Sequence, residues 1–308
     1  MGIFVGTSRG DVWAFDIAGH TQWRTQLDGP VESRPLVVKD RVFVGTLSGA
    51  VYALNQVNGK ILWKFQGYGA FWGTLLEKDG LLYVLTSLNK LYVLTLENGR
   101  LHWSREHENA RGYTVRGQSS PVLAGDRLIY GLSSGQLVCL DASRRGEILW
   151  TVQLENNTEE HYLDSDVTPI VLGDRVYTAS FRSGIAAVSL QTGEVLWRYP
   201  IEGVTRMYLH RERLYFVSSS AGIHCMTLDG RILWRQQGDL GTVTGLHVVE
   251  RRLLISFDQS GLLALDPETG FFYQKFDTGS GLSGGFSIQR PWVSALANNG
   301  RLYLFQLR

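Results

Sequence analysis

Apolar and polar positions alternate along the chain in short stretches, and the stretches recur. Segments such as "AVYALN", "KLYVLT" and "LLALD" have the period-2 pattern and the β-branched and aromatic content of strands. Each is preceded by another such stretch that ends in a turn residue: Gly10, Gly49, Asn89, Gly135, Gly184, Gly222, Gly261 or Gly300. Asn89 is the one non-glycine of the series, and Asn is the residue that best tolerates the left-handed conformation after Gly. After each alternating stretch comes a Gly and, four residues later, a Trp: Gly19 and Trp23, Gly59 and Trp63, Gly99 and Trp103, Gly146 and Trp150, Gly193 and Trp197, Gly230 and Trp234. A seventh copy keeps Gly270 but has Gln274 where the Trp belongs. Leading stretches such as "SRPLVV", "SSPVL" and "VTPIVL" complete the unit.

Four short antiparallel strands in about 40 residues make one propeller blade. The predicted fold is therefore all-β, an eight-bladed β-propeller of four-stranded antiparallel blades, with seven blades as the alternative count. No segment has a helical period. Each blade is expected to bury both faces against its neighbours, with Trp23, Trp63, Trp103, Trp150, Trp197 and Trp234 filling the space between blades. The second to seventh blades have four strands, the first starts at its second strand with "IFVGTSRG", and the last ends at its third with "RLYLFQLR". A ring with open edges invites aggregation. The expectation is one propeller domain over residues 1–308 that lacks an N-terminal segment completing the first and last blades.

The repeat is broken in one place. Successive Trp residues are 40, 40, 47, 47 and 37 positions apart, so the two long spacings are adjacent. The added length lies in the links from one blade's outer strand to the next blade's inner strand. Trp23 to Pro35 is 12 positions, whereas Trp103 to Pro121 is 18 and Trp150 to Pro169 is 19. Two neighbouring long links on a rigid scaffold are a candidate interaction site. The first carries Tyr113, Val115 and Arg116, and Tyr and Arg are enriched at interface hot spots. The second carries Asp164 and Asp166, which point the same way if the segment is extended. Two readings stand side by side: a partner-binding surface, or a surface ion pair of Arg116 with Asp164 or Asp166, worth about 0–1 kcal/mol.

Composition changes this picture little. The 308 residues carry a net charge of +1 and are 44% hydrophobic, an ordinary soluble balance without the basic field of a nucleic-acid binder. No apolar run reaches the length that crosses a bilayer. Met1 to Val5 lack the basic start and long apolar stretch of an export signal. Cys139 and Cys225 fall where another copy of the repeat has Ala53, so they read as small buried fillers rather than a disulfide. The seven His residues are scattered without metal-ligand spacing. Gly279, Gly281 and Gly284 match G-x-G-x-x-G, but a strand, "FSIQ", follows where a dinucleotide fold needs a helix, so this reads as a flexible link between blades. Asp164-Ser165-Asp166 lacks the further oxygen ligands of a calcium loop. No cofactor, metal site or catalytic residue is expected.

The repeats "AVYALNQVNGKILW", "GIAAVSLQTGEVLW" and "SGLLALDPETG" resemble the pyrroloquinoline-quinone-type propeller repeat over nearly the whole chain, which implies fold rather than function. Quinoprotein dehydrogenases with that repeat have adjacent cysteines, a calcium site and a catalytic Asp. The chain has no adjacent cysteines. A quinone-cofactor-binding propeller enzyme and a ligand-sensing propeller module of a larger receptor remain as alternative readings.

"TVRGQSSP" and "LDSDVTPIVLGDRVYTASFRSGIAAVSLQTGEVLWRYPIEGV" are more closely similar to the BamB family, periplasmic propeller lipoproteins of the outer-membrane protein assembly machinery. That family also lacks the Trp in the copy where Gln274 stands here. The resemblance implies a non-enzymatic scaffold whose two long links dock a POTRA domain of the central barrel subunit. It implies contacts at Tyr113, Val115 and Arg116, then at Asp164 and Asp166, although Tyr113 stands where the family has an aliphatic residue. It also implies the periplasmic face of the outer membrane and attachment through a lipid anchor absent from this chain. Exposed propeller edges could in addition pair with nascent outer-membrane strands.

Overall fold

Eight antiparallel sheets follow one another along the chain, and within each of them every strand pairs with the next. The computed structural model describes residues 2–108, 119–154, 167–238 and 241–306. Among these residues there is no helix. The sheets are the blades of an eight-bladed β-propeller, so the alternative count of seven falls. Six sheets have four strands, and the first and last have three, Ile3–Gly6 to Thr21–Gln26 and Phe286–Gln289 to Leu302–Gln306.

The hairpin turns form where the repeat placed its turn residues. Asn89 adopts φ 54°, beside Gly49 at 82° and Gly135 at 73°. At the foot of the hairpin the Thr46 hydroxyl accepts the amide of Ala50 at 3.1 Å, and Thr86 does the same for Lys90 at 3.3 Å. A second regularity lies opposite each tryptophan. Ala53 pairs with Trp63, Cys139 with Trp150 and Cys225 with Trp234, and the register slips directly after each pair. A small residue there leaves room for the indole, and the bulge turns the outer strand.

The chain divides into two compact units, one of Met1–Val176 with Ser189–Glu194, the other of Tyr177–Val188 with Val195–Arg308. In the first, the second blade buries both of its faces. Val42 and Val44 pack with Val12 and Trp23 of the first blade, while Phe43 between them packs with Phe71 and Leu82 of the third. Period-2 alternation thus aims neighbouring residues of one strand into two different cores. In the second unit, Tyr215, Ile223 and Cys225 of the sixth blade pack with Leu253, Ile255 and Leu263 of the seventh. Leu254 and Leu262 turn instead to Phe286 and Val293 of the last blade.

The tryptophans are framework, as expected, and their partner is specific. From Gly59 onward, each motif glycine lies against the Trp of the blade before it, whereas Gly19 meets nothing within 4 Å. A Cβ on Gly59 would fall 2.6 Å from the Trp23 ring, and one on Gly99 would fall 2.5 Å from Trp63. The indole N–H then donates into the same turn, Trp23 to the carbonyl of Gln56 at 2.9 Å and Trp150 to that of Leu190 at 3.0 Å. Trp103 is the exception. Its N–H is buried without a partner among the described residues, and the turn it faces, Asp141 to Gly146, is one residue longer than Asn55 to Gly59.

One expectation needs correcting. The glycine-rich run at Gly279 to Gly285 links two blades and leads into a strand, but it is not loose. Leu282 is fully buried, its amide donates to Phe257 at 2.8 Å, and Gly281 lies so close to Asp258 that a Cβ would clash with its carbonyl. The glycines here allow close backbone approach.

Candidate partner-docking site

The two long links are residues 107–121, between the strands Leu101–Glu106 and Val122–Ala124, and residues 154–169, between Glu147–Gln153 and Ile170–Leu172. The corresponding link after Thr21–Gln26 is residues 27–35. Tyr113, Val115, Arg116, Asp164 and Asp166 lie outside the described residues. Asp164-Ser165-Asp166, weighed above as a calcium ligand set, also lies outside them. Among the described residues, no three His, Cys, Asp or Glu side chains gather as a metal site.

The roots of both links are described, and they are held firmly. At the start of the first, the His107 amide donates to the Asn89 carbonyl at 3.2 Å, and the Asn89 side-chain amide donates to the Glu108 carbonyl at 3.2 Å. The same amide group donates to the Ser133 hydroxyl at 2.8 Å, and its oxygen accepts the Ser133 N–H at 3.2 Å. Asn89 thereby ties the hairpin of one blade to the next blade and to the link between them. Sequence reading took Asn89 only as a tolerated turn residue. The missed signal was that the one non-glycine in the turn series occurs in the blade that feeds the first long link.

The His107 ring shares a 2.6 Å hydrogen bond with the Tyr130 hydroxyl, and the two rings meet edge to face. Burial, with Arg105 adding repulsion, lowers the His107 pKa from 6.5 to about 4, so its imidazole is neutral at pH 7. At the far end of this link, the buried Ser119 hydroxyl accepts the amide of Gly131 at 3.0 Å. The second link leaves its blade at Leu154, whose amide donates to Gly135 at 3.0 Å, and returns at the buried Val167.

The two returning ends are joined. The Thr74 amide donates to the Ser120 hydroxyl at 2.9 Å, and the Ser120 amide donates to the Thr168 hydroxyl at 3.2 Å. Both long links therefore arise from one hydrogen-bonded series of strand starts on consecutive blades. Cys139 and Cys225 stand apart from this site. Both are free and buried, and burial pushes each thiol up to about 11, which leaves them unreactive.

The sequence profile described as outer membrane protein assembly factor BamB matches residues 8–229. The chain belongs to the outer membrane protein assembly factor BamB family. BamB of Yersinia pestis is 24% identical over 302 residues, 96% of this chain and 76% of that protein. BamB of Shewanella oneidensis is 24% identical over 81% of this chain and 64% of its own length. BamB of Escherichia coli K12 is 24% identical over 87% of this chain and 70% of its own length. The crystal structure of BamB from Moraxella catarrhalis superposes with a TM-score of 0.88 at 18% identity, covering 99% of this chain and 94% of that one. At that identity the likeness shows the fold, and so does the weaker match to the computationally designed Ika8 protein, with a TM-score of 0.57 at 12% identity.

Proposed function

We propose that this chain is a non-enzymatic scaffold subunit of outer-membrane β-barrel assembly, and that it docks a POTRA domain of the central barrel subunit through its two long links. Membership of the BamB family supplies the assembly role. The docking surface rests on one observation: two lengthened links on consecutive blades share a root through the Ser120–Thr168 hydrogen bond. Loops borne on a rigid sheet scaffold are suited to recognition, because the scaffold fixes their ends at no further entropic cost. The side chains in those links suit a partner surface. Arg116 offers a charged fork, Tyr113 and Val115 offer apolar area, and Asp164 and Asp166 offer two carboxylates.

The periplasmic face of the outer membrane is the proposed location. Nascent outer-membrane strands are a second class of partner, pairing with exposed blade edges. The alternative readings, a quinone-cofactor enzyme and a ligand-sensing receptor module, gain nothing from the family match. Co-purification from envelope extracts tests the proposal. The chain should bring down the central barrel subunit, and recovery of the chain alone under conditions that preserve the assembly machinery would contradict it.

A further inference from the structure

The hairpin of the third blade and the link that leads into that blade depart from the repeat together. Within the first compact unit, each link opens with an amide donated to the turn residue of the blade it leaves. Leu27 donates to Gly10 at 2.8 Å, Gly67 to Gly49 at 2.8 Å, His107 to Asn89 at 3.2 Å and Leu154 to Gly135 at 3.0 Å. The residue after that amide is acidic in three copies, Asp28, Glu108 and Glu155, and is Tyr68 in the other. The residue before the turn residue is Arg9, Ser48 or Ser134 in the neighbouring blades, and is Leu88 in the third. Two positions that are polar elsewhere in the unit therefore carry large apolar groups here.

These two residues lie at the surface, on backbone segments bonded to each other. Tyr68 is 77% exposed, more than any other aromatic side chain among the described residues, and Leu88 is 42% exposed. The Ser87 amide donates to the Ala70 carbonyl at 2.9 Å, and the Ala70 amide donates to the Ser87 hydroxyl at 3.0 Å. A Cβ on Gly69, the residue after Tyr68, would stand 3.0 Å from the Leu88 Cγ. The Tyr68 amide donates to the Tyr92 hydroxyl at 3.0 Å, so the backbone beneath the ring is held. The residue after Leu88 is Asn89, whose side chain holds the Glu108 carbonyl at the root of the first long link. Tyr68, Leu88 and that root are thus joined by one run of short contacts. Side chains left this open to water add little to the stability of the fold. They gain apolar burial only when another surface covers them, and Tyr is enriched where such cover is strongest.

We propose that Tyr68 and Leu88 extend the docking surface by one blade, as an apolar contact for a nonpolar patch of the POTRA domain beside the first long link. This rests on the docking reading given above. It adds a part of the interface that is apolar rather than charged, and that is built on the preceding link rather than on the two long ones.

Calorimetric titration of the purified POTRA domain tests it, into the wild-type chain and into Tyr68→Ser, Tyr68→Phe, Leu88→Ser, Val57→Ser and Arg116→Glu. Tyr68→Ser should weaken binding by about tenfold, and Leu88→Ser by about threefold, with unfolding midpoints unchanged. Tyr68→Phe should keep the affinity, since the ring makes the contact. Val57 is 80% exposed but sits in the turn at the other end of the strand Ala50–Asn55 from its hairpin, so Val57→Ser should bind as the wild type does. The loss in Tyr68→Ser should persist at high salt, because an apolar contact is not screened. Wild-type affinity in Tyr68→Ser, with Arg116→Glu weakened, would overturn this inference and leave the docking reading standing. An equal loss in Tyr68→Phe and Tyr68→Ser would refute the apolar contact. No binding of the POTRA domain to the wild-type chain would overturn the docking reading, and this inference with it.

Discussion

The backbone N–H of Ser120 donates to the hydroxyl of Thr168 at 3.2 Å, across two consecutive blades. Each residue opens an inner strand, and each closes one of the two links that outgrew the repeat. The bond makes the ends of those links a shared structure. At the opposite end of the first link, Asn89 holds the carbonyl of Glu108 and the backbone of Ser133. The candidate docking surface therefore stands on fixed posts.

Asn89→Gly should separate the two tasks of that residue. Glycine accepts the φ of 54° more easily than asparagine, so the turn survives. The three side-chain hydrogen bonds to Glu108 and Ser133 are lost. Stability in urea should fall by about 1–2 kcal/mol, and POTRA affinity should fall with it. Unchanged stability would mean that the bonds hold nothing.

Two glycines of the third blade isolate the contact between motif glycine and tryptophan. Gly80 and Gly99 both have positive φ, 77° and 69°. A Cβ on Gly80 meets nothing within 4 Å, whereas one on Gly99 falls 2.5 Å from the Trp63 ring. Gly80→Ala should cost about 1–2 kcal/mol through backbone strain alone. Gly99→Ala should cost about 1–3 kcal/mol more by forcing the indole out of its seat. Denaturant midpoints of the two variants check the difference, and equal losses would refute the packing role.

His107 should make the fold acid-sensitive. Its native pKa is about 4 against 6.5 when unfolded, so between those values the unfolded chain binds a proton that the native state refuses. Its contribution is full above pH 6.5 and is lost as the pH falls toward 4. His210 and His224 are lowered in the same direction, mainly by burial. His107→Gln should therefore reduce the slope of stability against pH in this window without abolishing it. Unfolding midpoints at pH 7, 6, 5 and 4 would show an unchanged slope if His107 were not the group responsible.

Gln274 stands opposite Ala264 at the register where other blades place a Trp, and it lines a cavity of about 270 Å³ with Phe276, Val293 and Phe305. Gln274→Trp should fill part of that space and raise stability by about 0.5–2 kcal/mol. A lower midpoint would show that the seventh blade cannot seat an indole.

The blades could be read from sequence because each is a local pattern: alternation, a turn residue, a glycine and a tryptophan. The strand count of every blade follows from that pattern. The partner of each motif glycine could not be read in the same way. Gly59 and Trp63 are neighbours in the chain, but Gly59 packs on Trp23, a contact between copies of the repeat. The role of Asn89 was obscured for a similar reason, since its contacts are to the next blade and the link. The two long links were legible as places from their spacing alone. The assignment of Tyr113, Val115, Arg116, Asp164 and Asp166 to contacts came from family resemblance, because a link outside the strand pattern has no periodicity from which to derive orientation.

The most direct test of the account is a calorimetric titration of the purified POTRA domain into this chain and into its Arg116→Glu variant, with unfolding midpoints measured on both. The account predicts saturable binding to the wild type, a loss of at least about 2 kcal/mol in the variant, the usual scale of a hot spot, and unchanged midpoints. Equal affinity for the two proteins would contradict it.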